Sequence, residues 1–277
     1  MTRAADFRRY REDPDAYATE VVRMHLWSKQ RELARAVLDH ERVAVKAANA
    51  VGKSTAAAFA IHHHLAGGPG SVVVSTSSTD AQLRRVLWRE LRSQLKRTGD
   101  FFAGATLTET EVFIEPGWYA TGFSTDTPEA MQGVHADRVL VVVDEASGVD
   151  EGIFDAIEGV LAGGDARLLL IGNPLRTSGT FFDAFNSRRD EFHTITISAH
   201  DTPAFTGEKA PRELTRRLVS RRWVERLEKR DPGGNTYLVK VAGEFPSRAD
   251  DAVVARADLE AAQAQDLEPG LPIVIGV

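Results

Sequence analysis

The 277-residue sequence has no cysteine, which excludes disulfides and thiolate metal sites and fits a reducing compartment. No apolar run approaches the ~18 residues of a membrane-spanning helix. The opening residues, MTRAADFRRYREDPDAY, mix acids with bases, so neither a secretory signal nor a transit peptide is expected there. Internal repeats and low-complexity tracts are also missing. Positive charge is not in surplus: 34 Lys and Arg against 40 Asp and Glu leave a net charge of −6, which does not advertise a nucleic-acid binder. What is present is an ordinary globular composition, 43% hydrophobic and 27% charged. The length suffices for one substantial core and a small second unit.

Residues 46–55 read KAANAVGKST, directly after the apolar run Val43-Ala44-Val45 and before the helical pattern TAAAFAIHHHL. A strand, a small-residue loop, a Gly-Lys-Ser step and a helix are the context of a phosphate-binding P-loop. Ala47, Ala48, Asn49, Ala50, Val51 and Gly52 would form the loop, whose N–H groups face an anion at the helix N-terminus. Lys53 would reach the β- and γ-phosphates, Ser54 would offer its hydroxyl to Mg²⁺, and Thr55 would complete the nucleotide contacts. Ala47 stands where the usual pattern has its first glycine. The competing reading is a Lys-capped loop before an ordinary buried helix.

Residues 138–146, RVLVVVDEA, carry five consecutive Val or Leu and then two carboxylates. Such a run suits a strand buried on both faces, with Asp144 and Glu145 at its carboxyl end, where open α/β sheets bind ligands. Asp144 would hold Mg²⁺ and Glu145 would activate the attacking water; the plain alternative is a cap for the next helix. RLLLIGNP (167–174) repeats the pattern and places Asn173 beside the γ-phosphate, or merely in an Asn-Pro turn. SVVVSTSS (71–78) is a further strand, whose terminal Ser and Thr would line the site or cap the following helix.

Residues 15–40 read as helical, and strand and helix signals alternate from 42 to 198, as in a doubly wound α/β domain. TEVFIEPGWYATGF (110–123) reads as a hairpin turning at Glu115-Pro116-Gly117-Trp118. Consecutive His62, His63 and His64 point in different directions on a helix, which favours a solvated or half-packed helix over a metal site. Residues 212–230, RELTRRLVSRRWVERLEKR, are expected to form one amphipathic helix with a basic outer face, either simply solvated or in contact with DNA. The final LPIVIGV is a strand-like run that needs a partner sheet, so the natural polypeptide is expected to continue.

Several segments together resemble the large subunit of tailed-phage terminases: LWSKQREL (26–33), KAANAVGKST, PEAMQGVHADRVLVVVDEASGV (128–149), IGNPLRTSGTFFDAF (171–185) and VKVAGEFP (239–246). The resemblance implies an α/β, RecA-like P-loop NTPase of the additional-strand type, with a mostly parallel central sheet and a small helical lid or linker. It divides the chain into an ATPase domain (1–200), a lid or linker (201–265) and the start of an RNase H-like nuclease (266–277), whose cutting site would lie further on. It implies a motor that hydrolyses ATP with Mg²⁺, with Trp27 and Gln30 at the adenine. Its implied partners are double-stranded DNA, the portal protein of a procapsid, the small terminase subunit and a homo-oligomeric, pentameric ring in the host cytoplasm, with no membrane. Two departures stand out: no arginine lies within Ala48-Asn49-Ala50, and Gln132-Gly133 replaces the Arg-Gly whose arginine acts as a finger. Arg138, Arg84 and Arg85 are the substitutes to consider, Arg138 first. The alternatives are a helicase-like DNA-dependent ATPase, disfavoured by the lack of a second comparable strand series, and an ATP-binding assembly module, disfavoured by Glu145.

Overall fold

Short Val- and Leu-rich runs become the centre of one sheet because both of their faces are covered. A computed structural model describes residues 4–124, 134 and 136–247. Among these residues the strands are β1 (Arg42–Ala47), β2 (Ser71–Ser77), β3 (Thr106–Leu107), β4 (Glu111–Glu115), β5 (Trp118–Gly122), β6 (Arg138–Asp144), β7 (Asp165–Gly172) and β8 (His193–Ile197). Their spatial order is β3-β4-β5-β2-β6-β7-β1-β8. From β5 to β8 every neighbour is parallel, whereas β3-β4-β5 form an antiparallel extension. The expected mixed α/β architecture with a mostly parallel sheet is therefore present. β7 lies between the P-loop strand β1 and the carboxylate strand β6, which is the additional strand that the resemblance implies.

Alternation along β6 shows how the two faces are filled. Leu140 and Val142 join a core with Phe59, Ile61 and Leu65 of the P-loop helix, Lys53–Leu65. Val139, Val141 and Val143 join the opposite core with Ile153, Phe154 and Ile157 of the helix Glu151–Leu161. The hairpin turns where the sequence places it, between β4 and β5, and Gly117 takes φ +77° after Pro116, as a type II turn requires.

Three expectations change. Residues 15–40 are not one helix. Arg23 takes φ +54°, residues 22–27 leave the helical path, and the helix restarts at Ser28–Asp39. That break folds Val22, Leu26 and Trp27 into the core. The basic segment is likewise two helices, Arg212–Arg217 and Arg221–Arg230, because the Val219 N–H leaves the helical pattern to bond the Ala50 carbonyl at 2.9 Å. Ser220 then caps the second helix. His62 and His63 are buried and His64 is half-buried: His62 bridges Tyr17 (3.0 Å) and Gln94 (2.7 Å), and His63 meets the Tyr10 carbonyl at 2.8 Å. No group of three or more potential ligands occurs among the described residues. Residues 248–277, including the expected start of a further domain, and Gln132-Gly133 lie outside the described residues.

Candidate active site

The P-loop begins where β1 ends at Ala47 and closes with Gly52 at φ +89°, immediately before the helix. Ala50 also takes a positive φ, +54°. Successive turns of this kind aim backbone N–H groups into one concavity, the arrangement that binds anions. The loop is braced from outside. Ala48 N–H donates to the Ile197 carbonyl (2.8 Å), Asn49 N–H to the Lys240 carbonyl (3.0 Å), and Gln30 Nε2 to the Gly52 carbonyl (3.2 Å). Gly243 is pressed so close that an added Cβ would lie 2.7 Å from the Ile197 oxygen and 3.0 Å from the Ala48 nitrogen.

Lys53 is buried, and its Nζ donates to Asn173 Oδ1 (2.9 Å) and the Ala48 carbonyl (3.2 Å). Asn173 Nδ2 in turn donates to the Ala47 carbonyl (2.6 Å) and Asn49 Oδ1 (3.0 Å). The Asn after β7 thus ties together the loop and its lysine, beyond the backbone-turn role that an Asn-Pro pair alone would require. Burial lowers the Lys53 pKa while Glu145 and Asp144 pull it back up, so both carboxylates act on the ammonium.

Asp144 ends β6 opposite Ser77, the last residue of β2. It is wholly buried, and burial with Glu145 alongside raises its pKa to about 7, against the lowering effects of Lys53 and the Glu145 N–H. Asp144 Oδ2 and Ser77 Oγ are both buried without a hydrogen-bond partner. Two orphaned oxygens at adjoining strand ends fit a cation ligand and its support better than a helix cap; Thr79, not Ser77, caps the following helix. Glu145 occupies a left-handed conformation, φ +50°, which few non-glycine residues adopt and which clusters at functional sites. β7 crosses that turn at Gly172, where a Cβ would lie 2.9 Å from the Ala146 nitrogen. Beside the loop, a cavity of about 210 Å³ is lined by Gln30, Gly52, Thr55, Glu90 and Gln94, among others.

No protein-family model matches the chain. It is 28% identical over 213 residues to the "Probable terminase, large subunit" of Enterobacteria phage P7, an alignment covering 70% of this chain and 40% of that protein. The chain is similar in sequence to a phage large terminase. It therefore spans about two fifths of the length of that curated relative. A variant of the large terminase ATPase domain of Thermus phage P74-26 superposes with a TM-score of 0.64 at 18% identity, covering 84% of this chain and 99% of that one. The large terminase of thermophilic bacteriophage D6E in complex with ADP gives a TM-score of 0.60 at 15% identity, covering 79% of this chain and 53% of that one. At those identities the two structures establish the fold.

Two expected site residues stand elsewhere. Arg138 opens β6, six residues before Asp144, so about 20 Å of strand separates them. Its guanidinium donates to the His64 and Gly67 carbonyls (3.1 and 3.0 Å) and so caps the far end of the P-loop helix. It does not reach Asp144 and Glu145 of its own chain. Trp27 is completely buried among core side chains, because the chain break at Arg23 turns it inward, and it presents no face to a base. Gln30 does reach the loop. Of the other arginines considered, Arg84 is held by Asp80 and Glu109, and Arg85 is exposed. Glu90, Gln94, Lys240 and Gly243 were not singled out in the sequence. The glycine of VKVAGEFP was the one visible signal, and only folding shows that it meets the P-loop.

Proposed function

We propose that this chain is the ATP-hydrolysing motor domain of a large terminase, driving double-stranded DNA into a procapsid. The carrying observation is the junction of Lys53, Asn173, Asp144 and Glu145 at one sheet edge. A phosphate-binding ammonium, a metal-binding acid and a water-activating acid would meet there, at the ends of three neighbouring strands. The relationship to a phage large terminase and the ADP complex of the D6E protein support the same reading.

In this mechanism the loop N–H groups and Lys53 bind the β- and γ-phosphates, exchanging the Ala48 and Asn173 contacts for phosphate oxygens. Asp144 and Ser54 would hold Mg²⁺, which when bound neutralises charge on the phosphate oxygens. The unpartnered Asp144 Oδ2 fits that role. Glu145, partly exposed at the strand end, orients the water and accepts its proton during in-line attack on the γ-phosphate. Asn173, released from or returned to Lys53, couples the presence of the γ-phosphate to the loop. The base enters the cavity beside Gln30. With Arg138 held on the His64 and Gly67 carbonyls, away from its own chain's carboxylates, stabilisation of the departing γ-phosphate falls to a group supplied by a neighbouring subunit of a homo-oligomeric ring. Portal protein and small terminase subunit complete the assembly.

Steady-state ATP hydrolysis with Mg²⁺, with and without linear duplex DNA and across protein concentrations, tests this reading. Turnover stimulated by DNA or rising more than linearly with protein is expected. Slow turnover that is strictly linear and blind to DNA would instead favour a nucleotide-dependent assembly module.

A further inference from the structure

The helix Arg221–Arg230 sorts its charges by face. At roughly 100° per residue, Arg222, Arg226, Lys229 and Arg230 share one arc of about 100°, with Trp223 at its edge. Glu225 and Glu228 fall outside that arc, beside Arg221, which is spent on the Ala204 carbonyl (2.6 Å) and the Phe205 ring. A solvated helix face would intersperse the two signs as i,i+4 pairs, and among the described residues no ion pair engages Arg222, Arg226, Arg230 or Lys240. The face borders an open hollow lined by Trp223, Arg226, Leu227, Arg230 and Lys240, with no carboxylate in its wall. Arg226, Arg230 and Lys240 are exposed.

The hollow is wired to the nucleotide loop. Lys240 belongs to the turn Leu238–Ala242, whose Val241 is buried and whose Lys240 carbonyl accepts the Asn49 N–H at 3.0 Å. From there the contacts run Asn49 Oδ1 to Asn173 Nδ2 (3.0 Å) and Asn173 Oδ1 to Lys53 Nζ (2.9 Å). The residue preceding the helix cap, Val219, holds the Ala50 carbonyl at 2.9 Å. Both ends of the cationic element are thus bonded directly to the P-loop backbone.

We propose that the hollow of Trp223, Arg226, Arg230 and Lys240 docks the phosphodiester backbone of duplex DNA and passes its occupancy to Lys53 through Asn49 and Asn173. The periodicity favours nucleic acid over an acidic protein surface. Arg222, Arg226 and Arg230 recur about every 6 Å along the helix, an evenly spaced row suited to an evenly spaced polyanion. Contacts to phosphate carry no base information, so binding is indifferent to sequence and falls steeply with salt. The link to turnover rests on the motor reading; the docking surface does not.

The test measures binding of a fluorescent 30-base-pair duplex between 50 and 200 mM salt by wild-type protein and by the Arg226→Ala/Arg230→Ala double variant. A control removes the same charge at the exposed Arg8 and Lys96. The double variant should bind roughly tenfold more weakly at 0.1 M salt, and its log affinity against log salt should flatten by about two. The control should match wild type. ATP turnover without DNA should be unchanged in the double variant while stimulation by DNA disappears, and Asn49→Ala should keep the duplex affinity yet lose the stimulation. If wild-type protein binds the duplex through these residues but hydrolyses no ATP, the motor reading fails and the docking surface stands. Equal affinity and salt slope in the double variant and wild type would overturn the proposal and point to an acidic protein surface as the occupant.

Discussion

Two adjacent carboxylates at the end of β6 have different environments, and their differences separate their roles. Glu145 is partly exposed and held at φ +50°, poised at the sheet edge. Glu145→Gln keeps the shape and removes the proposed base, so ATP turnover should fall by about 10²–10⁴-fold while nucleotide affinity persists. Parallel turnover and equilibrium-binding measurements decide this, and undiminished turnover would move the base elsewhere. Asp144 is buried, with a pKa raised to about 7 by that burial and by Glu145. In the unfolded chain an aspartate titrates near 4. The folded state therefore keeps a proton that the unfolded state releases, and this group's contribution makes folding weaker as pH rises from about 4 to about 7. Without Mg²⁺, Asp144→Asn should be more stable than wild type at pH 8, by on the order of 2–4 kcal/mol, and the gain should shrink toward pH 4. Thermal midpoints at pH 5 and pH 8 provide the check; an equal gain at both would show that the carboxyl does not carry the effect.

Among the elements, the P-loop owes its shape to segments distant in sequence. β8, the turn Leu238–Ala242 and the break at Leu218–Ser220 each bond its backbone, and Gly243 packs against Ala47 and Ala48. Gly243 has φ +71° and no room for a methyl group, so Gly243→Ala combines backbone strain with displacement of the loop. A loss of about 2–4 kcal/mol in stability is expected, with weaker ADP binding as well. Denaturant unfolding and calorimetric titration with ADP would reveal it, and a variant equal to wild type in both would mean that this turn does not support the loop. The same elements show why the long basic segment, expected from its sequence to be one helix, folds as two. Its apolar period continues through Leu218 and Val219, but the Val219 N–H has a better use on Ala50 than in a helix.

Over the whole molecule, three histidines on the back of the P-loop helix make the fold sensitive to acid. Burial lowers His62, His63 and His64 to about 3, 4 and 3, against an ordinary value of 6.5. The unfolded chain takes up these protons below pH 6.5, so their contribution is complete above that pH and is lost as pH falls toward 4. Three histidines that must charge on unfolding outweigh the single Asp144 that must discharge, and stability should fall by about 2–3 kcal/mol per pH unit between 6.5 and 4. Urea unfolding at pH 7, 6 and 5 would measure the slope; a flat profile would refute the burial of the histidines. Described residues include no helix long and apolar enough to cross a membrane. Strands β1, β2, β6 and β7, the β4–β5 hairpin and the order of Lys53, Asp144, Glu145 and Asn173 were legible in the sequence, because strand burial and P-loop chemistry are written in runs of adjacent residues; β3 and β8 were not. The fate of Trp27, the far-end placement of Arg138, the bond from Asn173 to Lys53 and the seat of Gly243 on the loop were not. Each depends on where the chain returns after a break or a crossover, and only the packed sheet with its two covered faces decides that.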